Sequence, residues 1–162
     1  MLSKNHIDAL REIVSAAEMD SSIVWALTGS TSFVLQGMTL KVHDIDIQTD
    51  EDSAYKFETQ LQKYIVEPVH FCETEGIRSH FGKLKICNVD VEIMGDIQKR
   101  ISDGSWEKKF SILPIIQYIH FEKMKIPVLS LAYEAEAYRN MGRIDRANDI
   151  QRFISSSGEC NK

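Results

Sequence analysis

Apolar residues recur at steps of three and four positions in several parts of the chain, which is the spacing of amphipathic helices. The segments with this spacing are residues 5–17, 53–65, 129–141 and 143–154. Gly142 separates the last two segments, and Pro68 is expected to close the second. A further short helix is predicted at residues 33–37, with Ser30 or Thr31 capping its first turn.

Other segments have the patterns of strands. Residues 23–27 are continuously apolar, as in a strand that is covered on both faces. Residues 42–49 and 89–94 alternate strictly, so each is predicted to have one acidic and one apolar face. A strand at residues 82–86 is expected to form a hairpin with 89–94, and residues 115–120 are a further candidate strand.

Composition and charge narrow the class of protein. The chain has 162 residues, of which 43% are hydrophobic and 27% charged, the balance of one soluble globular domain. Its three cysteines form no CxxC pair, which favours a reducing cytosol. The net charge of −5, from 19 Lys and Arg against 24 Asp and Glu, argues against nucleic acid as a partner. With no secretory signal and no apolar stretch of bilayer length, we expect a cytoplasmic protein without a membrane partner.

Acidic side chains share one face of each alternating strand. Asp44 and Asp46 stand roughly 6.5 to 7 Å apart along the backbone, close enough for their oxygens to reach one small cation. Asp90 and Glu92 share a face of the second strand in the same way. Four carboxylates on such strands repel one another unless a cation binds between them. The pattern therefore predicts a magnesium site.

Gly29 and Ser30 lie between the apolar strand and the short helix that follows it. A glycine lets a phosphate group approach the backbone closely, and a serine hydroxyl at a helix start can bind phosphate oxygens. Turns of this kind are common, so the prediction of a phosphate site depends on the acidic strands that follow.

The order of these motifs resembles that of a known superfamily. LTGS at residues 27–30, DIDI at 44–47 and VDVEI at 89–93 together resemble the pattern of the DNA polymerase β-like nucleotidyltransferases. The C-terminal part is similar to the helical end of small bacterial members, the aminoglycoside and lincosamide adenylyltransferases. Arg146 and Asp149 approximate a charged pattern in the last helix of those enzymes.

The resemblance implies an α/β (α+β) nucleotidyltransferase fold with a short mixed sheet flanked by helices. We expect the core at residues 1–125, a helical pair packed on it at 126–155 and a frayed tail at 156–162.

The resemblance also implies roles for the candidate residues. The residues to which it assigns binding roles are Gly29 and Ser30 for the nucleotide and Asp44 and Asp46 for Mg²⁺, with Mn²⁺ as the other candidate metal. The third catalytic carboxylate is Asp90 or Glu92, which strand alternation cannot separate. Glu92 is favoured, also as a metal ligand, because it is central in its strand and has the longer side chain.

The expected reaction is the transfer of a nucleoside monophosphate from an NTP, with ATP favoured, to an acceptor hydroxyl with release of pyrophosphate. The acceptor is expected to be a small molecule, and a homo-oligomer stays open. One alternative is a non-catalytic binding or regulatory module of the same fold, similar to an antitoxin. A less favoured alternative is a phosphohydrolase that uses Asp44 and Asp46 as nucleophile and acid.

Other polar residues are weaker candidates. His43 alternates away from the acidic face, and His70, Cys72 and His80 lack the closely spaced pair of a zinc site. A predicted helix at the expected border of the acceptor pocket carries Tyr133, Glu134, Glu136, Tyr138 and Arg139. An exposed helix face is the favoured interpretation for these residues, and a glutamate of this helix acting as general base is the alternative.

Overall fold

The computed structural model describes residues 1–159, and this part of the chain forms a mixed α/β arrangement. The strands are β1 (Trp25–Thr28), β2 (Ile45–Thr49), β3 (Ile65–Glu73), β4 (Ile77–Ile86), β5 (Val89–Lys99), β6 (Ile116–Phe121) and β7 (Met124–Leu129). The helices are α1 (Lys4–Glu18), α2 (Gly29–Leu35), α3 (Glu51–Gln60), α4 (Leu131–Asn140) and α5 (Ile144–Glu159). The seven strands form one sheet in the order β3-β4-β5-β2-β1-β7-β6. The predicted fold class is thus confirmed.

The centre of the sheet combines antiparallel and parallel pairs. β2 runs antiparallel to β1 and parallel to β5, and β1 runs parallel to β7. Leu27, Ile47 and Ile93 are partners across β1, β2 and β5, and all three are fully buried. Because side chains alternate along each strand, the residues before and after them form rows on the other face of the sheet.

Helix α1 covers the buried face of the sheet. Ser3 caps it by accepting a hydrogen bond from the His6 N–H. Its apolar stripe, which includes Leu10 and Ile13, is fully buried in the main core. The predicted N-terminal helix is therefore confirmed, and its spacing corresponds to the face that packs on the strands.

The C-terminal helices α4 and α5 pack against the short helix α2. Ala135 of α4 and Ile150 of α5 form a second buried cluster with Phe33 of α2. Since α2 begins at Gly29, this cluster positions the start of α2 relative to the last two helices.

The hairpin of β4 and β5 has the predicted turn. Cys87 and Asn88 both have positive φ, 50° and 64°, as the two central residues of a type I′ turn require. β5 continues to Lys99 with Asp96 at φ 49°, where the pairing with β4 changes register.

Several predicted boundaries were wrong. α3 ends at Gln60, and Pro68 lies in the edge strand β3, where a proline need not donate to a ladder. α2 begins at Gly29, and neither Ser30 nor Thr31 caps it, because its N-cap position is Thr28. β2 begins only at Ile45.

The C-terminal boundaries also differ from the prediction. Strand β7 crosses residue 126, so the helical pair begins at Leu131 and not at the predicted position. Helix α5 continues through Ser156 to Glu159, and residues 160–162 of the predicted tail lie outside the described residues. Within residues 1–159, no helix is long and apolar enough to cross a membrane.

Candidate active site

A row of polar residues crosses four strands next to the buried apolar row. Thr28 of β1 is the cross-strand partner of Asp46 in β2, Asp46 is the partner of Glu92 in β5, and Glu92 is the partner of Lys83 in β4. Directly paired residues have Cβ atoms about 5 Å apart. The sheet therefore brings together side chains that are separated by up to 64 positions in sequence (92 − 28 = 64).

Asp46 is the most perturbed carboxyl in this row. Burial, together with the nearby carboxylates of Asp44, Glu92 and Glu134, raises its pKa to about 7. A carboxyl in these surroundings is stabilised by a proton or by a cation. The charge balance at Asp46 thus fits a bound divalent metal.

Gly29 contacts Asp46 so closely that only a glycine fits. Its φ is +68°, a conformation that side chains rarely adopt, and an added Cβ would lie 2.5 Å from Asp46 Oδ2. The turn and the carboxylate are therefore parts of one arrangement. Ser30 is the next residue of α2 and is half-buried.

Asp44 lies just before β2, and its backbone is held by α2. The Thr31 hydroxyl donates a hydrogen bond of 2.6 Å to the Asp44 carbonyl. Asp44 is near enough to Asp46 to raise the pKa of its carboxyl. The predicted strand face from Val42 onwards was wrong in extent, because β2 begins only at Ile45 and Asp44 belongs to the irregular segment before it.

Glu92 and Asp90 are on the same face of β5 but in different surroundings. Glu92 is level with Asp46, its side chain is 33% exposed, and its Oε1 is 3.7 Å from the Lys83 ammonium. The Asp90 side chain is 71% exposed and bonds to Lys85 Nζ at 2.6 Å. Pairing between β2 and β5 begins at Val91, so Asp90 precedes it.

Glu134 joins the site from α4. It is only 4% exposed, and it accepts a hydrogen bond from the Thr28 hydroxyl. Burial raises the pKa of Glu134 to about 7, while the Thr28 hydroxyl, the Lys99 ammonium and the Gly29 N–H act in the opposite direction. The interpretation of Glu134 as part of an exposed helix face was wrong.

The sequence held a signal for the burial of Glu134. It lies three residues after Leu131 and four before Tyr138, and both of these pack on the cluster around Phe33. Residues at such spacing share a face of a helix. The helical period thus places Glu134 beside the apolar stripe, although its charge favours the opposite interpretation.

A metal would need ligands in addition to these carboxylates. Among residues 1–159, no three His, Cys, Asp or Glu side chains form a ready-made metal site. Mg²⁺ is commonly held by one or two carboxylates together with substrate phosphates and water. Asp44 and Asp46 beside the Gly29 turn fit such a shared site, because the nucleotide would supply the missing oxygens.

The other sequence candidates lie apart from the polar row. His80 Nδ1 bonds to the Tyr55 hydroxyl at 3.0 Å, and His70 Nδ1 to the Pro68 carbonyl at 2.9 Å. Arg146 and Asp149 line a separate open depression on α5.

A cavity of about 920 Å³ lies beside α4. Its walls include Tyr133 and Glu136 of α4, together with Lys99 at the end of β5 and Arg100 after it. Tyr133 immediately precedes Glu134 in the sequence, so helix α4 borders both the cavity and the polar row.

Comparison with known proteins supports a nucleotidyltransferase fold. A family model described as aminoglycoside-2''-adenylyltransferase matches residues 9–153. The crystal structure of a Thermotoga maritima protein, which carries a provisional assignment as a nucleotidyltransferase, has a TM-score of 0.84 and 42% sequence identity, and the match covers 96% of each chain. Among curated proteins, none matches the sequence significantly.

Two antibiotic-modifying enzymes share the fold at low identity. The lincosamide adenylyltransferase LnuA with bound lincomycin has a TM-score of 0.55 and 19% identity, over 88% of this chain and 96% of that one. The enzyme ANT(2'')-Ia in complex with adenylyl-2''-tobramycin has a TM-score of 0.56 and 11% identity, over 92% and 89% of the chains.

Proposed function

The chain belongs to the aminoglycoside-2''-adenylyltransferase family of nucleotidyltransferases, and from this premise we propose that it transfers a nucleoside monophosphate from ATP to a hydroxyl of a small molecule. In the reaction, the acceptor oxygen bonds to the α-phosphorus, the bond from that phosphorus to the bridging oxygen breaks, and pyrophosphate leaves. The acceptor hydroxyl loses its proton to solvent water. No protein nucleophile is needed, because such transfer depends on positioning and charge neutralisation.

The observation that carries the proposal is the contact between the Gly29 turn and the carboxylate of Asp46. An added Cβ at Gly29 would lie 2.5 Å from Asp46 Oδ2, so a phosphate held at the turn would lie next to that carboxylate. The phosphate and the Asp46 carboxylate would repel each other at this distance unless a cation lay between them. The arrangement therefore suits a nucleotide that binds with its metal.

We assign the roles as follows. Gly29 and Ser30 bind the triphosphate, and Asp44 and Asp46 hold Mg²⁺, which Mn²⁺ can replace. The metal, when bound, supplies positive charge that neutralises the phosphate oxygens and makes the acceptor hydroxyl easier to deprotonate. Glu92 is the third carboxylate.

The choice of Glu92 over Asp90 depends on their positions along β5. Glu92 is the cross-strand partner of Asp46 and raises the pKa of its carboxyl. Asp90 is instead exposed, and its charge is paired with Lys85.

A small-molecule acceptor is supported by two of the structural relatives. The LnuA structure contains lincomycin, and the ANT(2'')-Ia structure contains adenylylated tobramycin. The cavity beside α4 has room for a molecule of such size, since ligand pockets are commonly 300–1,000 Å³.

Metal-dependent nucleotide binding tests the proposal. Addition of Mg²⁺ with α,β-methylene-ATP at about 100 times its Kd should stabilise the wild type by roughly 2.7 kcal/mol and raise its Tm by roughly 5–10 °C. The Asp44→Asn/Asp46→Asn variant should lose this gain, because the metal and the triphosphate are no longer joined.

The matched control is Asp52→Asn/Asp145→Asn, which removes two exposed acids from the first turns of α3 and α5. It should keep the full ligand-induced rise in Tm. Equal rises in the wild type and the Asp44→Asn/Asp46→Asn variant would refute the assigned metal site. No metal-dependent nucleotide binding by the wild type would favour a non-catalytic module of the same fold.

A further inference from the structure

The cavity beside α4 lies close to Glu134 of the candidate site. Tyr133 lines the cavity and lies near the side chain of Gln48, which is two residues after Asp46 on the same face of β2. Lys99 also lines the cavity and is near enough to Glu134 to lower the pKa of its carboxyl. A molecule in the cavity would therefore extend towards the site of transfer.

Two arginines at the cavity are held without a carboxylate partner. Arg100 lies over the Trp106 ring at 4.4 Å, and Arg143 lies over the Tyr138 ring at 4.9 Å. Within residues 1–159, no ion pair involves either guanidinium. Stacking on aromatic rings fixes the guanidinium groups while leaving most of their N–H donors available.

The acidic groups of the cavity do not neutralise these arginines. Glu107 uses its Oε1 to accept a hydrogen bond of 2.9 Å from the Lys99 N–H, and Glu136 is the other carboxylate of the lining. With Lys99, Arg100 and Arg143 as cations, the formal charge of the lining is 3 − 2 = +1. A polycationic acceptor such as an aminoglycoside would meet repulsion here, which is a means of selecting against it.

One wall of the cavity is aromatic. The rings of Phe110 and Tyr133 have their centroids 5.8 Å apart, and both residues line the space. Such a wall suits the apolar face of a sugar or of another cyclic polyol, while the arginines suit an anionic substituent.

We propose that the cavity binds the acceptor, and that this acceptor is a hydroxylated small molecule with a carboxylate or phosphate group. The anionic group lies on Arg100 and Arg143, and a hydroxyl faces the row that contains Asp46 and Glu92. This inference rests on the proposed function. The net positive lining of the cavity does not favour a polycationic acceptor such as the aminoglycoside in the ANT(2'')-Ia structure.

The test uses probes that differ in charge. Isothermal titration of the full chain, with and without Mg²⁺ and α,β-methylene-ATP, would compare glucose 6-phosphate, glucuronate, glucose and tobramycin. We expect at least one of the two anionic sugars to bind about tenfold more tightly than glucose or tobramycin, the gain of a charge-assisted hydrogen bond. The comparison of the two anionic sugars separates phosphate from carboxylate recognition.

Arg100→Gln/Arg143→Gln should abolish the preference for the anionic sugar. The matched control is Arg139→Gln/Arg152→Gln, which removes the same two charges from exposed positions on α4 and α5 that do not line the cavity. It should keep the preference. Backbone amide shifts of residues 99–102 in the NMR spectrum would report whether the anionic sugar is bound at this cavity.

Several results would overturn the inference. These are equal affinities for all probes, tighter binding of tobramycin, no saturable binding of either anionic sugar in the millimolar range, or an unchanged preference in the double arginine variant. Binding of the nucleotide analogue is measured in the same titrations. Its absence would refute the proposed function, whereas its presence without a preference for the anionic sugars would refute this inference alone.

Discussion

Asp46 is the residue at which the constraints of the site meet. Gly29 contacts its carboxylate from the turn, Glu92 is its cross-strand partner, and Asp44 precedes it by two positions. Because the carboxyl is buried beside other carboxyls, its pKa is raised to about 7. These neighbours make its ionised form dependent on a cation, which is the physical basis of the expected metal dependence.

A methyl group at position 29 should weaken nucleotide binding. Gly29→Ala adds a Cβ at 2.5 Å from Asp46 Oδ2 and displaces that carboxylate, so the Kd for Mg²⁺ with α,β-methylene-ATP should rise at least about tenfold. Gly142→Ala is the matched control, because Gly142 also has positive φ, +77°, but has no atom within 4 Å of an added Cβ. Gly142→Ala should keep the affinity of the wild type, and similar affinities of the two variants would contradict this role of Gly29.

The third carboxylate can be identified from turnover. We expect Glu92→Gln to lower the rate of nucleotide transfer or slow NTP hydrolysis by a factor of about 100 or more while nucleotide binding persists, since it removes charge next to Asp46 without changing shape. Asp90→Asn should have a mild effect, because Asp90 is exposed and paired with Lys85. The reverse ranking would assign the role to Asp90.

At the element scale, α2 determines the position of the segment before β2. Thr31 is fully buried in α2, and its hydroxyl bonds to the Asp44 carbonyl at 2.6 Å. Phe33 of the same helix packs against α4 and α5. The short helix thus joins the turn at Gly29, the backbone of Asp44 and the C-terminal helices.

Removal of the Thr31 hydroxyl should affect both stability and binding. Thr31→Val keeps the shape but leaves the partly buried Asp44 carbonyl without this donor, which should lower the free energy of unfolding by about 1 kcal/mol. It should also weaken nucleotide binding severalfold, because Asp44 is no longer held. Thr31→Ser keeps the hydroxyl and should retain most of the affinity, as measured by chemical denaturation and titration. Equal binding by Val and Ser variants would contradict this role.

At several element boundaries, tertiary contacts override the structure that the local sequence pattern predicts. The helix predicted at residues 53–65 was too long. Leu61 and Ile65 keep helical spacing in the sequence, but the helix ends at Gln60 and Ile65 begins an edge strand beside β4. Strand β7 was not predicted, because residues 124–129 contain Pro127 and precede a helical pattern. Pairing with β1 and β6 stabilises that strand, and local spacing does not contain this information.

At the scale of the whole molecule, the acidic site should make stability depend on pH. The pKa values of Asp46 and Glu134 are both raised to about 7 in the folded chain, from 3.8 and 4.5. The folded state therefore binds more protons than the unfolded state between about pH 4 and pH 7, so stability falls as the pH rises through this range. The metal-free chain should be less stable at pH 8 than at pH 5 through this contribution.

Asp46→Asn should remove its part of this dependence. Since a tenfold change in proton affinity corresponds to about 1.4 kcal/mol, the stability gain of Asp46→Asn over the wild type should grow by roughly 2 kcal/mol from pH 5 to pH 8. Urea denaturation with EDTA present would measure it. Asp90→Asn, at an exposed position, should show no such growth. A constant difference between Asp46→Asn and the wild type would mean that Asp46 titrates as an exposed acid.

The sequence predicted the mixed α/β class, the hairpin at Cys87-Asn88 and the acidic strand faces that carry Asp46 and Glu92. It could do so because alternation and turn chemistry act over a few neighbouring residues. Only the tertiary structure decided that Glu92 and not Asp90 is level with Asp46, that Glu134 is buried against Thr28, and that a cavity follows beside α4. These depend on strand order, register and helix docking, which are set by the packing of segments far apart in the chain.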